Sequence, residues 1–309
     1  MTTDVTTIAH FHPTTTIDAR IDALTARVTA LETPPVPVPV VVPPTILTVG
    51  AGKVGVDVTT DNVTIDGYAI FGPQSAAFVQ NEVGIRAVGT LAAPIRNLTI
   101  RNCRIAKFGY GGILVDHVLN LLIEDCIIDD SVYAGIMAIS VTGIIRRNTI
   151  HRVGYGVAPA NLPGSGNAYG IAVTSQSGVV TDQSHDVLVQ ANIIEDVPSW
   201  HGLDTHGGQR VTFDTNTVRR CARAAFLTTQ GPVRPAALVF KGNLLELPAT
   251  VTGGTNAVPL TLVSVDGITI SGNTIRGWAG QSPSASAPYY DYGASSTGIV
   301  VGLGNVVQP

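Results

Sequence analysis

The sequence predicts an all-β protein: a right-handed single-stranded parallel β-helix over residues 45–309, preceded by a short N-terminal coiled-coil helix. Three observations carry that expectation. An eight-residue pattern recurs eight times, its closest copies lie 22 to 23 residues apart, and a heptad-spaced apolar run stands near the N-terminus. They divide the chain into an arm at 1–15, a helix at 16–32, a proline-rich linker at 33–44 and the β-helix.

The pattern sets branched or aromatic apolar residues around an anchor that is Asn, Cys or Tyr. Its copies are VTIDGYAI (63–70), LTIRNCRI (98–105), LLIEDCII (121–128), GIIRRNTI (143–150), VLVQANII (187–194), VTFDTNTV (211–218), LVFKGNLL (238–245) and ITISGNTI (268–275). The residue three before the anchor is apolar in all eight, and so is the residue two after it. Period-2 alternation on both sides of the anchor reads as strand, bend, strand. Asn suits the bend because it tolerates the left-handed region and its amide can bond the anchor one rung away. Further strands are expected nine to ten residues after an anchor, at GILV (112–115), GIMA (135–138) and GLDT (202–205), with GIAV (170–173) displaced by an insertion. Such a unit cannot bury its apolar face alone and must stack.

These rungs resemble the right-handed β-helix repeats of pectate lyases, alginate epimerases and phage tailspikes over roughly residues 45–305. The resemblance implies the fold and leaves the activity open, since one fold hosts many chemistries.

Length and a 45% hydrophobic content permit one large domain with a continuous core. Net charge is −4 without a Lys/Arg cluster, so no nucleic-acid partner is expected. No apolar run is long enough to span a bilayer, so no membrane insertion is expected. The N-terminus MTTDVTTIAHFHPTTT has neither the basic start nor the apolar core of a secretory signal, which predicts synthesis in the cytoplasm. Cys103 and Cys126 are anchors of consecutive rungs, stacked about 4.8 Å apart with parallel side chains, which favours two buried free thiols over a disulfide.

Ile17, Ile21, Leu24, Val28 and Leu31 are spaced 4, 3, 4, 3, a coiled-coil seam, with Thr15 and Asp18 in capping-box position and Arg27 and Glu32 flanking the seam. The alternative is an amphipathic helix packed on its own domain. The segment TPPVPVPVVVPP (33–44) that follows is a semi-rigid spacer that works against docking back. Two heptads, a stiff linker and a β-helix resemble a phage tail spike or minor tail protein. That resemblance implies a homotrimer in a virion tail, attached to other virion tail proteins through its N-terminus and touching host surface polysaccharide. A carbohydrate-active enzyme of the lyase or epimerase class is the competing expectation.

The candidate site is the rung WHGLDTHGG at 200–208. Asp204 and His206 are two apart on a strand and share a face. The corresponding outward positions of neighbouring rungs are Leu114, Met137 and Ala172 for Asp204, and Ile139 and Thr174 for His206. A carboxylate beside an imidazole can move a proton. HGLDTH also resembles the Y-G-F-D-P-H motif of alginate C5-epimerases, which implies proton-transfer roles for Asp204 and His206. His201 stands where that motif has Tyr, Thr205 where it has Pro, and Tyr169, one rung below, is placed to supply the hydroxyl. Three readings stay open: proton transfer on a uronic-acid-type glycan, a polar patch that orders a turn or binds sugar, and a His201/Asp204/His206 metal site. No spacing matches an established zinc motif, and no cofactor is expected.

Tyr110, Tyr133 and Trp200 each precede the small-residue strand of their rung by two and are expected to form a ladder for sugar rings. Arg219, Arg220 and Arg223 are expected to neutralise a substrate carboxylate, or else to lie solvated on the surface. The insertions 157–168 and 175–183 are expected to wall a groove at this rung, and 280–296 is a third long loop.

Overall fold

The computed structural model describes residues 45–176, 179, 181–247, 258–278 and 284–308. The expected arm, coiled-coil helix and linker lie outside these residues, as do parts of the 175–183 and 280–296 insertions. No helix among the described residues is long and apolar enough to cross a membrane.

The chain winds as a right-handed parallel β-helix with three faces per coil. The first face holds the strands before each anchor, from Thr64–Asp66 to Thr297–Val301, in a nine-stranded parallel sheet. The second face holds the short strands after each anchor, such as Arg104–Ala106, Ile127–Asp129 and Thr149–His151. The third face holds Val83–Val88, Gly111–Asp116, Ala134–Ile139 and Tyr169–Thr174. Ile193–His206 and Thr217–Thr228 pass unbroken from the second face to the third, so these two faces form one sheet.

Register explains why the repeat folds this way. Ile100, Ile123, Ile145, Val189, Phe213 and Phe240 pair in one inward column, and Ile105, Ile128, Ile150, Ile194, Val218 and Leu245 in another; all are fully buried. A one-residue slip would turn these columns outward and present the Arg and Glu residues between them to the core, so the apolar pattern fixes the stacking.

The anchors stack as the sequence predicts, and their amides bond along the axis. Asn148 donates to Asn192 (3.0 Å), Asn192 to Asn216 (2.9 Å), Asn216 to Asn243 (3.0 Å) and Asn243 to Asn273 (3.1 Å). Each Nδ2 also reaches a first-face carbonyl, as Asn216 does with Val189 at 2.9 Å. Each Oδ1 also accepts from the backbone N–H of the preceding anchor. A buried amide is tolerated here because all of these groups are paired. A ninth anchor, Asn305, continues the ladder from Asn273 (3.1 Å).

One expectation needs correction. The left-handed residue is the one before the anchor: Asn102, Asp125, Arg147, Ala191 and Thr215 all have φ between 53° and 55°. That residue turns the corner while the anchor keeps negative φ, which lets its side chain point inward along the ladder. Cys103 and Cys126 are buried free thiols at the start of the same column, and Cys221 is a third.

Candidate functional site

The third face positions the site. Gly202 lies in a column of glycines with Gly84, Gly112, Gly135 and Gly170, where the chain passes close over the second-face core. A Cβ on Gly202 would sit 2.4 Å from Val218 Cγ1 and 3.2 Å from Cys221 Sγ. Beyond it Leu203 and Thr205 point inward and are fully buried, so Asp204 and His206 point outward. They pair in register with Ala172 and Thr174 on one side and with Phe226 and Thr228 on the other.

A bulge shapes the approach to this strand. Register runs from Val197↔Cys221 directly to His201↔Arg223, so the rung bearing the site has two more residues at this corner than its neighbour. Bulges re-aim side chains. Here Trp200 is folded over His201, stacked at 4.6 Å, and Phe226 covers the opposite ring face at 4.3 Å.

His201 is completely buried and its two nitrogens have distinct partners. Arg223 Nη1 donates to Nε2 at 3.0 Å, so the ring proton sits on Nδ1 and is donated to Asp204 Oδ2 at 2.5 Å. Burial depresses this imidazole to about 4, against the opposing pull of Asp204, and the ring is neutral. Burial works to raise Asp204, but the charge of His206 and the hydrogen bonds from both histidines outweigh it and hold the carboxyl at about 2.

His206 is the member that faces solvent, with a quarter of its side chain exposed. Its Nε2 lies 3.3 Å from Asp204 Oδ1 and its Nδ1 lies 3.3 Å from Gln230 Oε1. Burial opposes its charge, yet the Asp204 carboxylate wins and raises the ring above its usual value. The two imidazoles are thus pulled in opposite directions around one carboxylate: His201 is held neutral and orients Asp204, while the protonated form of His206 is favoured at the surface.

His206 and Asp204 open on a cleft of about 240 Å³ whose wall includes Tyr110, Tyr133, Tyr169 and Gln230. Burial, reinforced by nearby negative charge, pushes all three phenols up, so they stay protonated and can donate. Tyr169 is in register with His201, one rung below, and its ring meets His206 edge-on at 6.3 Å. The three candidate metal ligands lie together. The 2.5 Å between His201 Nδ1 and Asp204 Oδ2, however, is shorter than the roughly 3.3 Å between two ligands of one tetrahedral ion at ~2.0 Å bonds. The Arg223 guanidinium also adds a positive charge beside the ring. As placed, Arg223, His201 and Asp204 are joined by hydrogen bonds, and His206 completes the relay as an ion-pair contact 3.3 Å from the carboxylate.

The structure brings together His201, Asp204, His206, Tyr169, Tyr110, Tyr133, Trp200 and Arg223, with two departures in arrangement. Trp200 does not continue the Tyr110–Tyr133 ladder, because Ala168 holds that position in the rung between; it stacks on His201 and under the Arg223 guanidinium, 4.6 Å from the ring. The tyrosines meet edge-to-face, Tyr110–Tyr133 at 5.3 Å and Tyr133–Tyr169 at 5.4 Å, so they present edges and hydroxyls where flat faces were expected.

Arg220 stands apart. It sits at the corner of the second face, where Nε reaches Asp196 at 2.6 Å and Nη2 reaches Glu195 at 3.2 Å, while Arg219 pairs with Glu195 and Glu246. Ser175 and Gln176 line the cleft; the 157–168 insertion does not, and its Asn161 carbonyl instead accepts from the Phe78 N–H at 3.0 Å. Phe226 and Gln230 were missed. Phe226 follows its anchor by 10 residues and Asp204 by 12, so only the corner bulge reveals that they are neighbours.

Comparison with known proteins gives one family. A surface adhesin of Streptococcus pneumoniae is 8% identical, with 78% of this chain and 72% of that one covered at a TM-score of 0.47. The A-module of an Azotobacter vinelandii mannuronan C-5 epimerase is 14% identical, with 86% and 90% covered at 0.42. Tailspike protein 3 of bacteriophage CBA120 is 12% identical, with 85% and 54% covered at 0.30. Among curated proteins no sequence matches. The family model described as "Right handed beta helix region" matches residues 49–177 and 91–275, and with the anchors stacked in nine rungs the chain belongs to that family.

Proposed function

We propose that this chain is a virion tail-spike or minor tail protein that grips an acidic host-surface polysaccharide in the third-face cleft and transfers protons to it there. The observation that carries the reading is the His201–Asp204–His206 relay, which keeps one imidazole neutral and buried while raising the other at the cleft wall. His206 in its neutral form takes the proton from the sugar C5 and becomes imidazolium, the Tyr169 phenol facing it delivers a proton to the opposite face of C5 or to the leaving oxygen, and Tyr110 and Tyr133 donate to sugar oxygens. Asp204 holds His206, and His201, locked by Arg223, holds Asp204. An anionic unit is met by the donors of this wall, the His206 ring and the three phenols, while the buried Asp204 charge is taken up by its two histidines. Arg220 does not line this cleft and is given no substrate role in it.

The tail assignment rests on the heptad seam at 16–32 and the proline spacer, and it includes a homotrimer joined to other tail proteins by the N-terminus. The relay equally suits a free carbohydrate-active enzyme. Light scattering separates the two, with about three times 32.1 kDa expected for the tail protein. For the chemistry, the full chain is incubated with polyuronates and with envelope polysaccharide, following unsaturated-uronate absorbance and proton exchange at the sugar C5. Turnover in the parent that is lost in His206→Ala and Asp204→Ala is expected; no turnover on any acidic polymer contradicts it.

A further inference from the structure

A second cleft of about 250 Å³ opens where the second and third faces meet, with Gln74, Asp130, Ser131, Arg152 and Tyr155 in its wall. We propose that it is a separate subsite for a neutral, hydroxyl-rich sugar unit, so that the polysaccharide bound by this protein carries neutral as well as acidic units; the inference rests on the glycan reading above.

Three observations point to that ligand. Ser131 is 2% exposed and its hydroxyl has no hydrogen-bond partner, although buried hydroxyls are normally paired. Asp130 and Arg152 form a fork, Nε to Oδ1 at 2.7 Å and Nη2 to Oδ2 at 3.1 Å. Arg152 Nη2 also reaches Asp129 Oδ2 at 2.5 Å, and the group offers acceptors and donors side by side, which suits vicinal hydroxyls, since each can donate to a carboxylate and accept from the guanidinium. Tyr155 is 57% exposed at the rim, and its ring is available to the C–H face of a sugar. The volume lies below the roughly 300–1,000 Å³ of drug-sized pockets and suits a single ring.

The two clefts adjoin. Val132 lines this one and Tyr133 the other, and Phe78, packed against Tyr110 and Tyr133 at 5.6 and 5.3 Å, follows closely on the loop residues Gln74, Ser75 and Ala76. A chain crossing that aromatic wall would place an acidic unit at His206 and a neutral one at Asp130 and Arg152.

The test is calorimetric titration of the full chain with neutral hexasaccharides of glucose, galactose and mannose, and with hexagalacturonate and hexamannuronate. At least one neutral oligosaccharide should bind. Tyr155→Ala and Ser131→Ala should each weaken it, the former roughly tenfold, and His206→Ala should leave it unchanged. Absence of neutral binding at millimolar concentration, or neutral binding indifferent to Tyr155→Ala, overturns the subsite. Uronate binding lost in His206→Ala alone would then keep the first cleft's reading intact. Neutral binding that needs Tyr155, with no uronate bound at all, would uphold this subsite and sink that reading.

Discussion

His201 and His206 share one strand and one carboxylate, yet their surroundings shift their protonation in opposite directions. For His201 the sign follows from a folded value of about 4 against 6.5 unfolded: its burial costs no stability above 6.5 and lowers stability as pH falls from 6.5 toward 4. His206 is raised, so its pairing with Asp204 stabilises the fold fully below 6.5 and is lost as pH rises through its folded value. Nitrogen NMR over a pH series, assigned with His206→Gln, should show His206 titrating above the usual histidine value and His201 as a neutral ring protonated at Nδ1 that resists titration down to about pH 4. A His201 that titrates near 6.5 would contradict the relay. The outward placement of Asp204 and His206 was legible from alternation alone. The split between the histidines was not, because it depends on Arg223, Phe226 and Gln230, which arrive from another rung or beyond it.

At the level of the strand and its corners, the Asn ladder and the glycine column hold the site in place. Replacing Asn216 by Ala removes the partner of the Val189 carbonyl and both acceptor bonds to Asn192. This should cost about 3 kcal/mol by urea denaturation, at ~1–3 kcal/mol for each buried group left unpaired. Gly202→Ala forces a methyl against Val218 and should cost about 2 kcal/mol. It should also impair polysaccharide turnover, because the displaced strand carries His201, Asp204 and His206. If Asn216→Ala unfolds at parental urea concentration, the ladder contributes only register. The eight anchors were readable because their spacing to the flanking apolar residues is fixed. Asn305 was not, because three residues separate it from Val301 where two separate Asn273 from Ile270, and the extra residue hides the pattern.

Across the whole molecule, stacking converts a local repeat into two neighbouring clefts on a continuous core, and the length of each corner decides which side chains meet in them. Sequence periodicity therefore specified the β-helix closely, while the sites depend on corner lengths that vary from rung to rung. The bulge before His201 brings Trp200 over the ring, and the ion-pair ladder of the second-face corner takes Arg220 out of reach. The central claim is that the third-face cleft receives an acidic sugar unit against His206. A crystal structure of the full chain soaked with hexamannuronate or hexagalacturonate tests it most directly. The expected result is a uronate ring bounded by Tyr133, Tyr169 and His206, its carboxylate within hydrogen-bond reach of the His206 ring or the tyrosine hydroxyls. Density for the oligosaccharide elsewhere on the β-helix, with this cleft unfilled, would contradict it.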